Sequence, residues 1–144
     1  MRRIRVHEFG GPEVLRMEEA PDPKPGADEV LIKVHAVGIN PVETYIRSGT
    51  YSPRPELPYT PGTDAAGVVE AIGKGVRDIE PGERVYSSGT VTGAYAEKVV
   101  CSRQQVHRLP SGVPFSKGAA ARPSPRSWTH KSSPKPTFKS CGVG

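Results

Sequence analysis

The residues best placed to do chemistry are Asn40, Thr44, Tyr45, Ser48 and Tyr51, inside the stretch VHAVGINPVETYIRSGTYSPRPELPYTPGTDAAGVV from Val34 to Val69. An Asn-Pro pair marks a helix start. Asn suits the N-cap, and Pro suits the first helical position, where no N–H is needed. The spacing predicts a short helix from about Pro41 to Ser48, closed by Gly49 as a C-terminal glycine, with backbone N–H groups at Asn40 turned outward. Thr44, Tyr45 and Ser48 fall within one turn, and Tyr51 follows just after the Gly, so two phenols can face one cleft. Ordinary amphipathic packing with solvated hydroxyls accounts for both tyrosines equally well.

Strands must position this corner. Ile4, Val6 and Phe9 alternate with Arg3, Arg5 and His7, which reads as a strand wet on one side, broken by Gly10-Gly11-Pro12 and returned by Val14 to Met17. Three prolines between Ala20 and Gly26 make that segment an extended surface loop. Val30, Ile32, Val34 and Ala36 form the apolar face of the next strand, with His35 on its mixed face. A lone His without a second ligand nearby is a surface or boundary residue rather than a metal ligand, and His7 and His107 read the same way. The run DAAGVVEAI from Asp64 to Ile72 is a further strand. Its small residues Ala65, Ala66 and Gly67 admit either a neighbouring backbone or flat ligand, or the crowding inside a small barrel. Further strands are expected at Arg84 to Tyr86, Tyr95 to Val100 and Gln105 to Leu109. About seven strands with frequent turn signals predict a small barrel or sandwich, hence a mainly β fold with one short helix.

The composition excludes several classes. At 144 residues the chain holds one domain, and 16 Gly with 16 Pro favour short strands and many turns. The net charge of +5 lies wholly in the tail: residues 1–118 carry 15 basic and 15 acidic side chains, whereas 119–144 carry Arg122, Arg126, Lys131, Lys135 and Lys139 and no acid. The body is therefore electroneutral, and no basic face is inferred for it. Cys101 and Cys141 lack CxxC spacing, which argues against a zinc knuckle or a disulfide framework. No leader-like or membrane-length apolar run occurs, so a cytoplasmic protein is expected. Gly73-Lys74-Gly75 is not a phosphate loop: neither GxGxxG nor GxxxxGK(S/T) is present, and its glycines follow a strand without opening a helix. The Pro-, Ser- and Lys-rich segment 121–144 is expected to be disordered. Its basic residues with Trp128 leave contact with single-stranded nucleic acid as an alternative.

The pieces HEFGGPEVL, VLIKVHAVGINPVETYIRSGTY, LPYTPGTDAAGVVEAIGKGV and PGERVY, in this order, resemble the N-terminal half of quinone oxidoreductases of the zeta-crystallin type, in the medium-chain dehydrogenase/reductase superfamily. The resemblance covers residues 2 to about 120. It implies a GroES-like (chaperonin-10-like), partly open barrel over 1–120 that works with a Rossmann domain binding NADPH. It further implies Asn40 and Tyr45 as cofactor contacts near the nicotinamide, and Tyr45 and Tyr51 as contacts to the quinone. No residue is assigned a catalytic role. Zinc-dependent relatives place a Cys at the corner held here by Gly38 to Asn40, and a His where this chain has Gly62-Thr63-Asp64. Neither is present, which implies a zinc-independent reductase with no metal site. After Phe115 to Ala120 the family enters a helix toward its cofactor domain, whereas this sequence enters the basic tail, as a splice variant or shifted frame would give.

Three readings follow: the GroES-like part of an NADPH-dependent quinone reductase, catalytically incomplete as it stands; a non-enzymatic truncated isoform that binds a partner, either a full-length subunit of a homo-oligomer or RNA; or a product without function.

Overall fold

The computed structural model describes residues 1–121. The tail, with Trp128, the five basic residues and Cys141, lies outside the described residues. Seven strands and two helices follow in order: β1 (Arg2–Val6), β2 (Leu15–Glu19), β3 (Glu29–Val37), α1 (Pro41–Ser48), β4 (Asp64–Ile72), β5 (Arg84–Ser88), β6 (Lys98–Ser102), β7 (Val106–Arg108) and α2 (Phe115–Ala119). Strands β1 and β2 pair as a hairpin, and the other five form a sheet in the order β6-β3-β4-β5-β7. All strand pairs are antiparallel, so no Rossmann-type parallel unit occurs among the described residues.

The sheet must curl. Strands β6 and β7 lie at its opposite edges, yet only Arg103–Gln105 separates them. Four strand spacings in a flat sheet span about 19 Å, whereas four residue steps reach at most about 14 Å. The result is an open half-barrel, and its inner face holds the core. Val30, Ile32, Val69, Ile79, Val85 and Val106 there are each 2% exposed or less. Gly67 answers the question its sequence left open: it pairs with Val34 on β3, and a Cβ on it would stand 2.0 Å from the Lys33 carbonyl oxygen. The small residue admits a neighbouring backbone.

Element boundaries differ from the expected ones for local reasons. β1 stops at Val6, short of Phe9, and a 3-10 turn over Pro12–Val14 delays the return strand to Leu15. Tyr95 to Glu97 are not in β6, because their backbone is shared among Pro61, β1 and β3, where Val34 N–H donates to Glu97 O. The Tyr95 N–H donates to Pro61 O, the Glu97 N–H to Arg2 O, and the Tyr95 carbonyl accepts from Ile4 N. The outer edge of β6 is partly covered, since the Val91 N–H donates to Val100 O and the Val100 N–H to Thr92 Oγ1.

Near the end of the described chain, Arg84 on β5 holds the segment leading to α2. Its guanidinium donates to the carbonyls of Pro110 (3.1 Å), Ser111 (2.6 Å) and Val113 (2.7 Å) and lies 4.3 Å over the Phe115 ring. His35 stacks on the same ring at 4.6 Å. His107 stacks at a tilt on Tyr86, and His7 meets Glu18.

Ion pairs join the loops to the sheet: Lys98 with Asp22 and Glu70, Arg103 with Asp78, Arg108 with Glu83, and Arg2 with Glu97. Hydrogen bonds from these cations hold the Asp22, Asp78 and Glu83 carboxyls below their usual range, and for Glu97 the Arg2 backbone N–H is the larger cause.

Two outcomes are expected. Carboxyls with depressed folded-state pKa values contribute stability above the unfolded-state range and lose it as they protonate. The urea midpoint should therefore decline as pH falls below about 4.5, by less in high salt because the pairs are exposed. Gly67→Ala should cost about 3 kcal/mol in the same titration; an unchanged midpoint would show that β3 and β4 can separate freely.

Candidate functional site

The corner after β3 is built as its residues dictate. Asn40 is extended (φ −108°), Pro41 opens α1, and Gly49 ends it in the left-handed region (φ 77°). A Cβ on Gly49 would press against Phe9 at 3.1 Å, so both the backbone angle and the packing require glycine there. The N-cap does not present free N–H groups as expected. Glu43, at the third helical position, accepts the Asn40 N–H through Oε2 at 3.3 Å. The Asn40 amide instead turns to the start of β4, where Nδ2 donates to Asp64 Oδ2 at 2.7 Å and to Thr63 Oγ1 at 3.3 Å. Its remaining capacity is the Oδ1 acceptor.

Glu43 is the centre of this corner. It is 7% exposed, unusual for a carboxylate. Besides Asn40 it accepts the Thr63 N–H at 3.3 Å and the Tyr95 hydroxyl at 2.5 Å. Burial, then the hydrogen bond to Glu43 and its negative charge, push the Tyr95 phenol far above its ordinary range, because a phenolate beside a carboxylate is disfavoured. Tyr95 therefore acts only as a fixed donor. The sequence carries a partial signal for Glu43, an acid three residues after an N-cap Asn. It carries none for Tyr95.

A cleft of about 610 Å³ opens beside this network, lined by Glu43, Ile46, Tyr51, Thr63 and others, with Arg3 and Arg5 from β1 and the loop Thr90–Gly93. Tyr51 reaches it and is 44% exposed. Tyr45 is 58% exposed, and neither it nor Asn40 lines this cleft. The structure thus brings Tyr51 to the cleft, sets Asn40 at the adjoining corner and leaves Tyr45 on the outer face of α1. Thr44 and Ser48 are used within the helix, donating to Pro41 O (2.6 Å) and Tyr45 O (3.1 Å).

The donors at the Asn40 corner are an amide, a hydroxyl and the Asp64 carboxylate, and no group of three His, Cys, Asp or Glu side chains converges among the described residues. A Cβ on Gly38 would lie 2.5 Å from Ala119 O, so that backbone is closed off by α2. No glycine-rich turn opens a helix among the described residues, so none of them forms a cradle for a dinucleotide's pyrophosphate.

A curled antiparallel half-barrel with a capped helix at the corner defines the class. Residues 26–111 match the alcohol dehydrogenase GroES-like domain family, and the chain belongs to it. The chain is also similar to quinone oxidoreductases. Over 121 residues, 83% of this chain, it is 54% identical to the quinone oxidoreductase of Homo sapiens, of which it covers 37%. It is 40% identical over 119 residues to quinone oxidoreductase 1 of Escherichia coli, covering 83% of this chain and 36% of that protein. Among solved structures, Escherichia coli quinone oxidoreductase complexed with NADPH superposes with a TM-score of 0.81 at 39% identity, covering 85% of this chain and 37% of that one. The human synaptic vesicle membrane protein VAT-1 homolog-like protein gives 0.81 at 34% identity, with 84% and 38% covered. The chain thus spans little more than a third of the length of these relatives. No helix among the described residues is long and apolar enough to cross a membrane.

The network makes a measurable claim. Glu43→Ala leaves two backbone N–H groups and a phenol without their acceptor, and should cost about 3 kcal/mol in urea denaturation. A raised phenol pKa contributes stability that is intact below pH 10 and lost as the pH climbs toward the folded-state value. Stability should therefore fall above pH 10, and Tyr95→Phe should shrink that slope without abolishing it, since burial also raises Tyr59 and Tyr86.

Proposed function

We propose that this chain supplies the substrate-side domain, residues 1–120, of a zinc-independent, cytoplasmic NADPH:quinone reductase of the zeta-crystallin type. The observation that carries this reading is the corner itself. Glu43 locks α1 so that Tyr51 stands at the mouth of an open cleft walled by Ile46 and the prolines of the 53–58 loop. The 54% identity to a quinone oxidoreductase supports it.

NADPH, when bound, would supply the hydride, and the chain's residues do the positioning. Asn40 holds its amide rigid through Asp64, leaving Oδ1 to accept from a nicotinamide carboxamide. Tyr51 offers an aromatic face to a flat quinone ring, whereas Tyr45 stands on the outer face of α1, beyond the lining of this cleft. The donor set, an amide, a hydroxyl and the single Asp64 carboxylate with no thiolate or imidazole beside them, supports a zinc-independent reading. The described residues offer no cradle for the cofactor's phosphates, so a 144-residue polypeptide is a poor enzyme by itself.

The test uses that polypeptide. With millimolar NADPH and 9,10-phenanthrenequinone, absorbance at the NADPH band should show little or no turnover. Quinone binding, followed by tyrosine fluorescence, should still occur and should weaken about fivefold in Tyr51→Ala. Clear turnover would show that a dinucleotide domain is dispensable. Binding unaffected by Tyr51→Ala would remove Tyr51 from the site.

A further inference from the structure

The back of the cleft holds a feature that the quinone reading leaves unused. Arg3 Nε, Tyr59 Oη and Thr60 Oγ1 are buried side-chain atoms with no hydrogen-bond partner among the described residues, and all three residues line this cleft. Thr60 is only 8% exposed. Leaving such groups unmet is costly, and all three belong to residues that wall one cleft, although the atoms themselves are covered.

Charge points to the kind of partner. Arg3, Arg5 and Arg54 line the cleft, and none of them makes an ion pair or side-chain hydrogen bond among the described residues; Arg54 lies 5.5 Å over the Phe9 ring. Other arginines are engaged: Arg2, Arg103 and Arg108 with carboxylates, and Arg84 with carbonyls. The lining sets three guanidiniums against one carboxylate, Glu43, which Tyr95 and two backbone N–H groups already occupy. Arg3 and Arg5 share a face of β1 by the two-residue period of a strand. Tyr59 is fixed beside them, because its backbone exchanges hydrogen bonds with Val6 at 2.9 and 3.1 Å. Guanidinium forks match the paired oxygens of an oxyanion, and a walled cleft of one sign concentrates anions.

We propose that this cleft binds an aromatic oxyanion, a flat ring carrying a carboxylate, sulfonate or phosphate. The anion sits on the guanidiniums of Arg3 and Arg5, Arg54 adds charge at the rim, and the ring packs on Tyr51 and the neighbouring prolines. The ring need not be a quinone, so the inference stands or falls apart from the proposed reductase role.

Calorimetric titration of the 144-residue chain with naphthalene-2-sulfonate tests it, against the neutral 2-naphthalenemethanol and inorganic sulfate. The sulfonate should bind at least about tenfold more tightly than the alcohol, and sulfate alone should bind weakly. Arg3→Gln and Arg5→Gln should each weaken the sulfonate about tenfold while leaving the alcohol unchanged. Arg54→Gln, in an exposed loop and harmless to the sheet, should weaken it several-fold, which keeps the test decisive if a β1 variant misfolds. Equal affinity for the alcohol, no binding of the sulfonate, or binding that survives the arginine changes, as contact with the basic tail would, each overturns the proposal.

Discussion

A single buried carboxylate holds the corner together. A charge removed from water is tolerated only where hydrogen bonds replace its hydration, and Glu43 finds them on three different segments: the turn into α1 at Asn40, the approach to β4 at Thr63, and the segment before β6 at Tyr95. An eight-residue helix is not stable by itself in water, so α1 persists because its first turn is fastened to these neighbours. Tyr95 extends the connection, since its backbone bonds to Ile4 and Pro61 tie the hairpin β1–β2 to the half-barrel. Cleft, helix and hairpin therefore share one anchor.

The half-barrel supplies what the corner cannot: a wall that does not move. A three-residue link between opposite sheet edges forces the curl, and the absence of a side chain at Gly67 lets β3 and β4 approach closely at the start of the bend. Because β3 runs into the corner and β4 runs out of it, their register fixes the distance between Asn40 and Asp64. The 2.7 Å amide–carboxylate contact reports that register.

Much of this was legible in the sequence. Asn40-Pro41 and Gly49 mark both ends of α1 because capping chemistry is local, the alternation in β3 marks a strand because burial has a period of two, and β4 shows as a run of small apolar residues. Legibility failed where partners are distant in the chain. Nothing near Tyr95 announces Glu43, 52 residues away, and the segment from Tyr95 to Glu97 reads as ordinary strand although its backbone is shared among Pro61, β1 and β3. Arg3 and Arg5 read as the wet side of an edge strand. Only the fold, which brings Tyr59 and Thr60 beside them, turns that side into a cleft wall. Tyr45 and Tyr51 were separable only once the end of α1 was set, since the left-handed turn at Gly49 directs the following chain toward the cleft and leaves the helical phenol outside.

Arg84 decides how the domain would bear tension. It grips three carbonyls and the Phe115 ring from a strand inside the sheet rather than from an edge. A pull applied at residue 121 therefore enters β5 in the interior of the sheet, and the hydrogen-bonded ladders on both sides of that strand must yield together. The exit from this domain is a mechanical clamp that carries load at residue 121 into the middle of the sheet.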